Sequence, residues 1–262
     1  MTRPGEDEVH LWVVFQDDAN DPALLSRYRE LMTEEERARG ARFHFEKHRA
    51  QFAITRALVR TVLSGYSGVD PRDWRFAEGR YGRPEIAAPA ALGGMSFNLA
   101  HTEGLIVCAC TTAGRAGVDA EHLRLDKDLL DIADRYFSPA EVASLRAQPR
   151  EVRAERFFYY WTLKESYIKA IGTGLATPLD KFSFGIGPAG ELSLAFDGLP
   201  DDPSIWRHWL LKPAPTHLVA ITAERNAPGC PRVVARRVVP LSREELLECD
   251  VVAQSALGQH SG

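Results

Sequence analysis

Trp161-Thr-Leu-Lys-Glu-Ser-Tyr-Ile-Lys-Ala-Ile-Gly-Thr-Gly174 closes a long helical pattern and holds the chain's densest run of chemistry-bearing residues. The pattern runs from about Val152 to Ile171, and the glycines at 172 and 174 stop it. Trp161, Glu165 and Lys169 are spaced i, i+4, i+8, so one helical face presents an aromatic, a carboxylate and an ammonium in a row. Phe157, Lys164, Ile168 and Ile171 fall on the adjacent face. Taken alone, the Glu165–Lys169 spacing equally describes an exposed ion pair contributing a few tenths of a kcal/mol. What surrounds the helix decides between the two.

Upstream, Ser138-Pro-Ala-Glu141 has capping-box spacing with proline at the first helical position. Short β-rich runs follow the long helix at Lys181–Gly185, Trp206–Leu211 and Leu218–Ala223. The same order occurs about a hundred residues earlier. Thr33-Glu-Glu-Glu36 is a capping box, a helical stretch runs from about Arg42 to Leu63, and strands are expected at Trp74–Phe76, Met95–Leu99 and Leu105–Cys110. His101 falls in the expected loop between the last two, and Val9–Phe15 reads as a buried strand ahead of the first unit. The repeat is one of pattern, which any alternating α+β chain can show, and it predicts two similar α+β halves related by a pseudo-two-fold. The expected division is 1–114 and 115–262, with the site between the halves.

In Gly117-Val-Asp-Ala-Glu121, Asp119 and Glu121 are two apart, so on an extended segment they project from one face. Adjacent carboxylates repel unless a cation lies between them, and Mg²⁺ favours oxygen ligands shared with phosphates. A solvated strand end is the simpler alternative. Glu165 supplies a third carboxylate if its helix crosses this strand. Cationic partners for a phosphate lie in the first half: nine Lys and Arg against five Glu between Arg27 and Arg60, many of them expected on a solvated helix face. The turn Gly79-Arg-Tyr-Gly-Arg-Pro84 frees the backbone and offers Arg80 or Arg83 as a planar fork. His101 is a further candidate donor to phosphate.

The 262 residues, 45% hydrophobic and 26% charged, exclude disordered, collagenous and coiled-coil classes. A net charge of −4 argues against a dedicated nucleic-acid binder. Four cysteines without a CxxC pair argue against a disulfide or zinc scaffold, and alternation puts Cys108 and Cys110 on one buried strand face. The amino-terminal residues lack the apolar core of a signal peptide, and no apolar stretch approaches the roughly 20 residues of a membrane span. A cytoplasmic protein without membrane contact is expected.

In order along the chain, the Arg-rich helix, the Gly-x-Pro turn, Asn98-x-x-His101, Gly117-Val-Asp-x-Glu121 and Trp161-Thr-x-Lys-Glu-x-x-x-Lys-Ala-x-Gly-x-Gly-Leu175 resemble the 4′-phosphopantetheinyl transferases of the surfactin-synthetase-activating type. The resemblance extends from about Thr33 to Leu175, and more loosely to Ala223. It implies transfer of 4′-phosphopantetheine from coenzyme A to a serine of an apo acyl or peptidyl carrier protein, releasing adenosine 3′,5′-bisphosphate. By the same resemblance Mg²⁺ is held by Asp119, Glu121 and Glu165. Glu165 is also the general base, and Lys169 the catalytic lysine on the coenzyme A pyrophosphate. Arg39, Arg83, His101 and Lys164 join Lys169 in binding coenzyme A. Three positions depart from the family pattern: Ala100 stands where a serine precedes the histidine, and Glu36 and Phe52 stand where some members place a lysine and a threonine near the 3′-phosphate. Arg37, Lys47, Arg49 or Arg56 are the available substitutes.

Leu123, Arg124, Leu125 and Lys127 mix apolar and basic character just after Glu121, and form the expected docking surface for a carrier protein of the fatty-acid, polyketide or nonribosomal-peptide kind. A monomer with pseudo-dimeric halves is expected. The competing reading is a Mg²⁺-dependent pyrophosphohydrolase that cleaves coenzyme A or a nucleotide without any carrier protein.

Overall fold

A computed structural model describes residues 1–79, 82–124, 129–225 and 232–255. The elements follow in the order β1 (Glu8–Phe15), α1 (Gln16–Ala19), α2 (Pro22–Leu31), α3 (Glu34–Ala41), α4 (Glu46–Ser67), β2 (Arg75–Glu78), β3 (Pro84–Ala88), β4 (Ser96–Thr102), β5 (Leu105–Thr111) and β6 (Ala116–His122). Then come α5 (Leu130–Tyr136), α6 (Pro139–Arg146), α7 (Arg150–Ile171), β7 (Phe182–Ile186), β8 (Glu191–Phe196), β9 (Trp206–Ala214), β10 (His217–Glu224), β11 (Arg232–Val239), β12 (Arg243–Leu246) and β13 (Asp250–Ser255).

Both capping boxes form. The Thr33 hydroxyl accepts from the Glu36 amide at 3.2 Å while the Glu36 carboxylate accepts from the Thr33 amide at 3.0 Å. The corresponding distances at Ser138 and Glu141 are 3.3 and 3.0 Å. Each box starts an eight-residue helix, and each is followed by a helix of 22 residues, α4 and α7. Both long helices end at a left-handed glycine, Gly68 at φ 76° and Gly172 at φ 71°, where a side chain would be strained. The helical unit predicted to recur does recur. The first long helix begins at Glu46, not near Arg42, because the Arg49 guanidinium donates to the carbonyls of Phe43 and His44 and stabilises a turn there.

A five-stranded sheet has the order β12-β11-β1-β5-β4, a six-stranded sheet the order β6-β10-β9-β13-β8-β7, and β2 with β3 forms a separate hairpin. Strand alternation sorts side chains into three cores. Trp12, Val14, Ile106, Cys108 and Cys110 face α4, while Leu11, Val13, Val107 and Ala109 face the second sheet. There they meet Val118, Ala120, Leu211, Val219 and Ile221, and the far face of the second sheet packs on α7 through Leu210, Leu218, Ala220 and Tyr167. The layers therefore run α4, sheet, sheet, α7. Cys108 and Cys110 are buried free thiols on one face, as alternation required. Among the described residues no helix is long and apolar enough to cross a membrane.

Two features lay beyond sequence patterning. β4 continues through Thr102, so His101 belongs to a strand and not to the loop. The final segment also crosses back over the expected division at residue 114. β11 pairs in parallel with β1 and carries β12 into the first sheet, whereas β13 inserts between β9 and β8 in the second.

Candidate active site

β6 alternates strictly. Ala116, Val118 and Ala120 pack between the sheets, so Gly117, Asp119 and Glu121 face α7. A Cβ at Gly117 would lie 2.1 Å from the Ser166 carbonyl oxygen and 2.3 Å from the Ala170 amide nitrogen. Only glycine lets the helix backbone rest directly on the strand. That contact sets Glu165 and Lys169, which flank it in sequence, against the strand's carboxylates.

The Lys169 Nζ lies 2.6 Å from Asp119 Oδ1. The other oxygen, Asp119 Oδ2, is buried without a hydrogen-bond partner. Burial pushes the Glu121 carboxyl up to about 7, and the neighbouring Asp119 and Glu165 charges add to that push against the pull of Lys169 and the Trp161 hydrogen bond. Glu165 is likewise raised, by burial first and by Asp119 second. The three carboxylates therefore sense one another, as their positions suggested. They do not close into a cage: among the described residues no group of three or more His, Cys, Asp or Glu is drawn together as a metal site. Lys169 neutralises Asp119 instead. The remaining donors suit a hard cation, since all are carboxylate oxygens, one is buried without a partner, and two are raised by burial first and by neighbouring carboxylate charge second.

Trp161 stacks on Phe157 with centroids 5.9 Å apart and meets Tyr136 edge-on, walling the site on the α5 side. Behind the helix, Ser166 Oγ donates to the Leu163 carbonyl at 2.8 Å and lies 2.8 Å from Thr222 Oγ1, which in turn lies 2.9 Å from His208 Nδ1. This buried polar chain ties α7 to β10 and β9. It carried no signal in the sequence, because its members sit far apart at no recognisable spacing.

The expected coenzyme ligands divide. His101, one strand end away, feels Lys169, and crowding about its ring followed by that charge lowers its imidazole, favouring the neutral form. Arg39 lies on the surface in an ion pair with Glu78 and borders a cavity of about 430 Å³ that Arg56, Phe52 and Pro84 also line. Arg83 is not free to grip a phosphate. Its guanidinium donates to the Lys169, Phe97 and Ala116 carbonyls and to Ser96 Oγ at 3.0 to 3.2 Å, clasping the end of α7 to the first sheet. Arg80 lies outside the described residues.

Lys164 is a clearer correction. It is fully buried, donates to the Leu179 and Phe182 carbonyls at 2.6 Å, and pairs with Glu141 at 2.8 Å. One residue from Glu165 is about 100° around the helix, which turns Lys164 into the core. Glu141 accepts in addition from the Phe184 amide at 2.9 Å, so the second capping box is also the counter-charge of this lysine.

The departures from pattern acquire structural reasons. Glu36 Oε2 accepts from the fully buried Arg60 at 2.6 Å, and Arg56 lies 3.7 Å away from the same carboxylate. Ala100 packs between the two sheets, so its position faces the protein interior. The docking candidates separate too: Leu123 is buried in the second core, Arg124 pairs on the surface with Glu103 at 3.6 Å, and Leu125 and Lys127 lie outside the described residues.

Residues 115–222 match the family model described as the 4′-phosphopantetheinyl transferase superfamily. The chain is 36% identical to the 4′-phosphopantetheinyl transferase HetI of Nostoc, over 75% of this chain and 84% of that protein. It is 32% identical to the 4′-phosphopantetheinyl transferase Sfp of Bacillus subtilis, over 68% of this chain and 75% of that one. A crystal structure of holo-[acyl-carrier-protein] synthase from Thermotoga maritima overlaps 44% of this chain and 65% of its own at 22% identity and a TM-score of 0.35, too partial to bear on the fold. The extent of the first of these matches, over most of both proteins, places the chain in the 4′-phosphopantetheinyl transferase family.

Proposed function

We propose that this protein transfers 4′-phosphopantetheine from coenzyme A to a serine hydroxyl of an apo carrier protein, releasing adenosine 3′,5′-bisphosphate. The observation that carries the reading is the seating of α7 on β6 over Gly117, which sets Glu165 and Lys169 against Asp119 and Glu121. A pyrophosphohydrolase reading finds no support in the two relatives named above, both of which bear transferase names.

The attacking serine must lose a proton, and Glu165 is the base suited to take it. Its raised carboxyl binds a proton more readily than a solvated glutamate. Lys169 sits where an ammonium can leave Asp119 for the pyrophosphate and offset the charge that builds on the departing phosphate. A neutral His101 donates a hydrogen bond to the same group without adding charge. Arg39 and Arg56 suit the adenosine phosphates at the mouth of the 430 Å³ cavity. Arg83 is better read as a brace that fixes the carbonyl end of α7, and Lys164 as a core residue that fixes the roll of the same helix.

Mg²⁺ fits the donor set of Asp119, Glu121 and Glu165, and when bound it would neutralise pyrophosphate charge. A carrier face rich in acidic side chains suits Arg124 and the basic stretch from Arg27 to Arg60. The expected division of labour is cations from 1–114 and carboxylates from 115–262.

The deciding experiment incubates the protein with coenzyme A, Mg²⁺ and a panel of apo carrier proteins, with intact-mass spectrometry as readout. One phosphopantetheine is expected on at least one carrier, and chelation of the divalent ion is expected to stop the addition. Release of adenosine 3′,5′-bisphosphate without any carrier modified would reject the reading in favour of hydrolysis.

A further inference from the structure

We propose that Asn98 and Thr102 are positioning residues for the β6 carboxylates, acting through the strand's backbone; this rests on the reading of Asp119 and Glu121 given above. β6 is an edge strand of the six-stranded sheet. Its ladder with β10 sets Asp119 opposite Ala220 and Glu121 opposite Leu218. The amides of Val118 and His122 have side-chain acceptors on the first sheet's β4 instead. Asn98 Oδ1 accepts from the Val118 amide at 2.9 Å, and Thr102 Oγ1 accepts from the His122 amide at 3.1 Å.

These two contacts bracket the carboxylate pair. They are four residues apart on each strand, and each lies one residue outside Asp119 or Glu121. Ala100, midway between them, contributes only a methyl group to the core between the sheets. β4 is itself fixed at this end, since the side-chain amides of Gln16 and Gln51 donate to the Thr102 carbonyl at 3.4 and 3.2 Å. Below the pair, Arg83 bridges the Phe97 and Ala116 carbonyls.

The strand is thus held on three sides: by its ladder with β10, by α7 over Gly117, and by two side chains from the other half of the molecule. An amide turned away from water is costly to leave unpaired, which keeps this edge against β4. Remove one acceptor and the edge is free to fray, carrying Asp119 and Glu121 out of register with Glu165. Both anchors bond to the strand's backbone, so the expected effect acts through geometry.

The test compares Thr102→Val, which keeps shape but loses the acceptor, with Thr102→Ser, which keeps the hydroxyl; Asn98→Ala is a second variant at the other anchor. Backbone amide exchange by NMR, Mn²⁺ binding by calorimetry with coenzyme A present, and steady-state kinetics are measured on the full chain. In Thr102→Val the His122 amide is expected to exchange about 10-fold faster, and Mn²⁺ affinity and kcat to fall about 10-fold, a typical effect of losing support behind a ligand. The KM for coenzyme A should stay within about twofold, and Thr102→Ser should restore all values. Wild-type Mn²⁺ affinity and kcat in Thr102→Val, with only a lower melting temperature, overturn the proposal. So does a serine variant as impaired as the valine. If the wild type modifies no carrier, the proposed transfer falls, and Mn²⁺ binding with amide exchange still decides the positioning.

Discussion

Glu165 is asked to do more than any other side chain, and a single-atom change tests it. Glu165→Gln keeps volume and a carbonyl oxygen but cannot take a proton. Transfer is expected to fall by a factor of about 10²–10⁴, the usual contribution of a general base, with coenzyme A affinity by calorimetry close to wild type. Near-normal turnover would remove the base assignment. His208 makes a different prediction. It is fully buried, and burial lowers its imidazole to about 3 from the ordinary 6.5. The unfolded chain therefore takes up a proton at this residue near pH 6.5, while the folded chain does so only near 3. The stability associated with neutral His208 is complete above 6.5 and declines as pH falls towards 3, at a limiting slope of about 1.4 kcal/mol per pH unit. His208→Asn should flatten that part of the urea-unfolding profile, and an unchanged slope would show that another group titrates.

Among the elements, the contact of α7 with β6 is the least forgiving. Because the atoms facing Gly117 are helix backbone, a methyl group there cannot be absorbed by a rotamer change. Gly117→Ala should displace the helix, cost about 1–3 kcal/mol in overpacking and lower transfer about 100-fold, the usual penalty for a shift near 1 Å. A melting temperature and kcat matching the wild type would contradict this packing. The roll of α7 depends on the Lys164–Glu141 pair, which is wholly buried and hydrogen-bonded on both sides. Lys164→Met leaves Glu141 uncompensated and is expected to destabilise the fold by about 3–5 kcal/mol, whereas Lys164→Met with Glu141→Leu should recover much of that loss. Recovery of stability together with carrier transfer would confirm that this lysine supports the helix without handling coenzyme. Element boundaries were most legible where a capping signal existed. Capping boxes fixed the starts of α3 and α6 and Gly172 the end of α7, because those signals act within one turn, whereas α4 runs past the expected end at Leu63, through Gly65, to Ser67. The end of β4 was missed, since its last residues extend only by pairing with Ile106 and Leu105 across the hairpin.

For the whole molecule, the last strands decide cooperativity. β11 covers the far side of β1, and β13 fills the gap between β9 and β8. A chain ending at residue 225 would lose a strand from inside each sheet, so it is expected to show no cooperative unfolding transition by calorimetry and no transfer. A sharp transition in that truncation would show that the two sheets do not depend on the returning segment.

Sequence alone determined the repeated helical units, the strand alternation that buries Cys108 and Cys110, and the spacings that put Asp119 with Glu121 on one strand face and Glu165 with Lys169 on one helix face. All of these follow from periodicity or from local spacing, which a chain carries with it before folding. Tertiary structure decided which charges are available. Arg83 and Lys164 looked like ligands because a linear pattern records residue type, yet whether a cation meets solvent or a carbonyl depends on which elements pack against it. It also revealed Asn98 and Thr102 as partners of β6, because amides 20 residues away in the chain meet those side chains only when the two sheets close on each other.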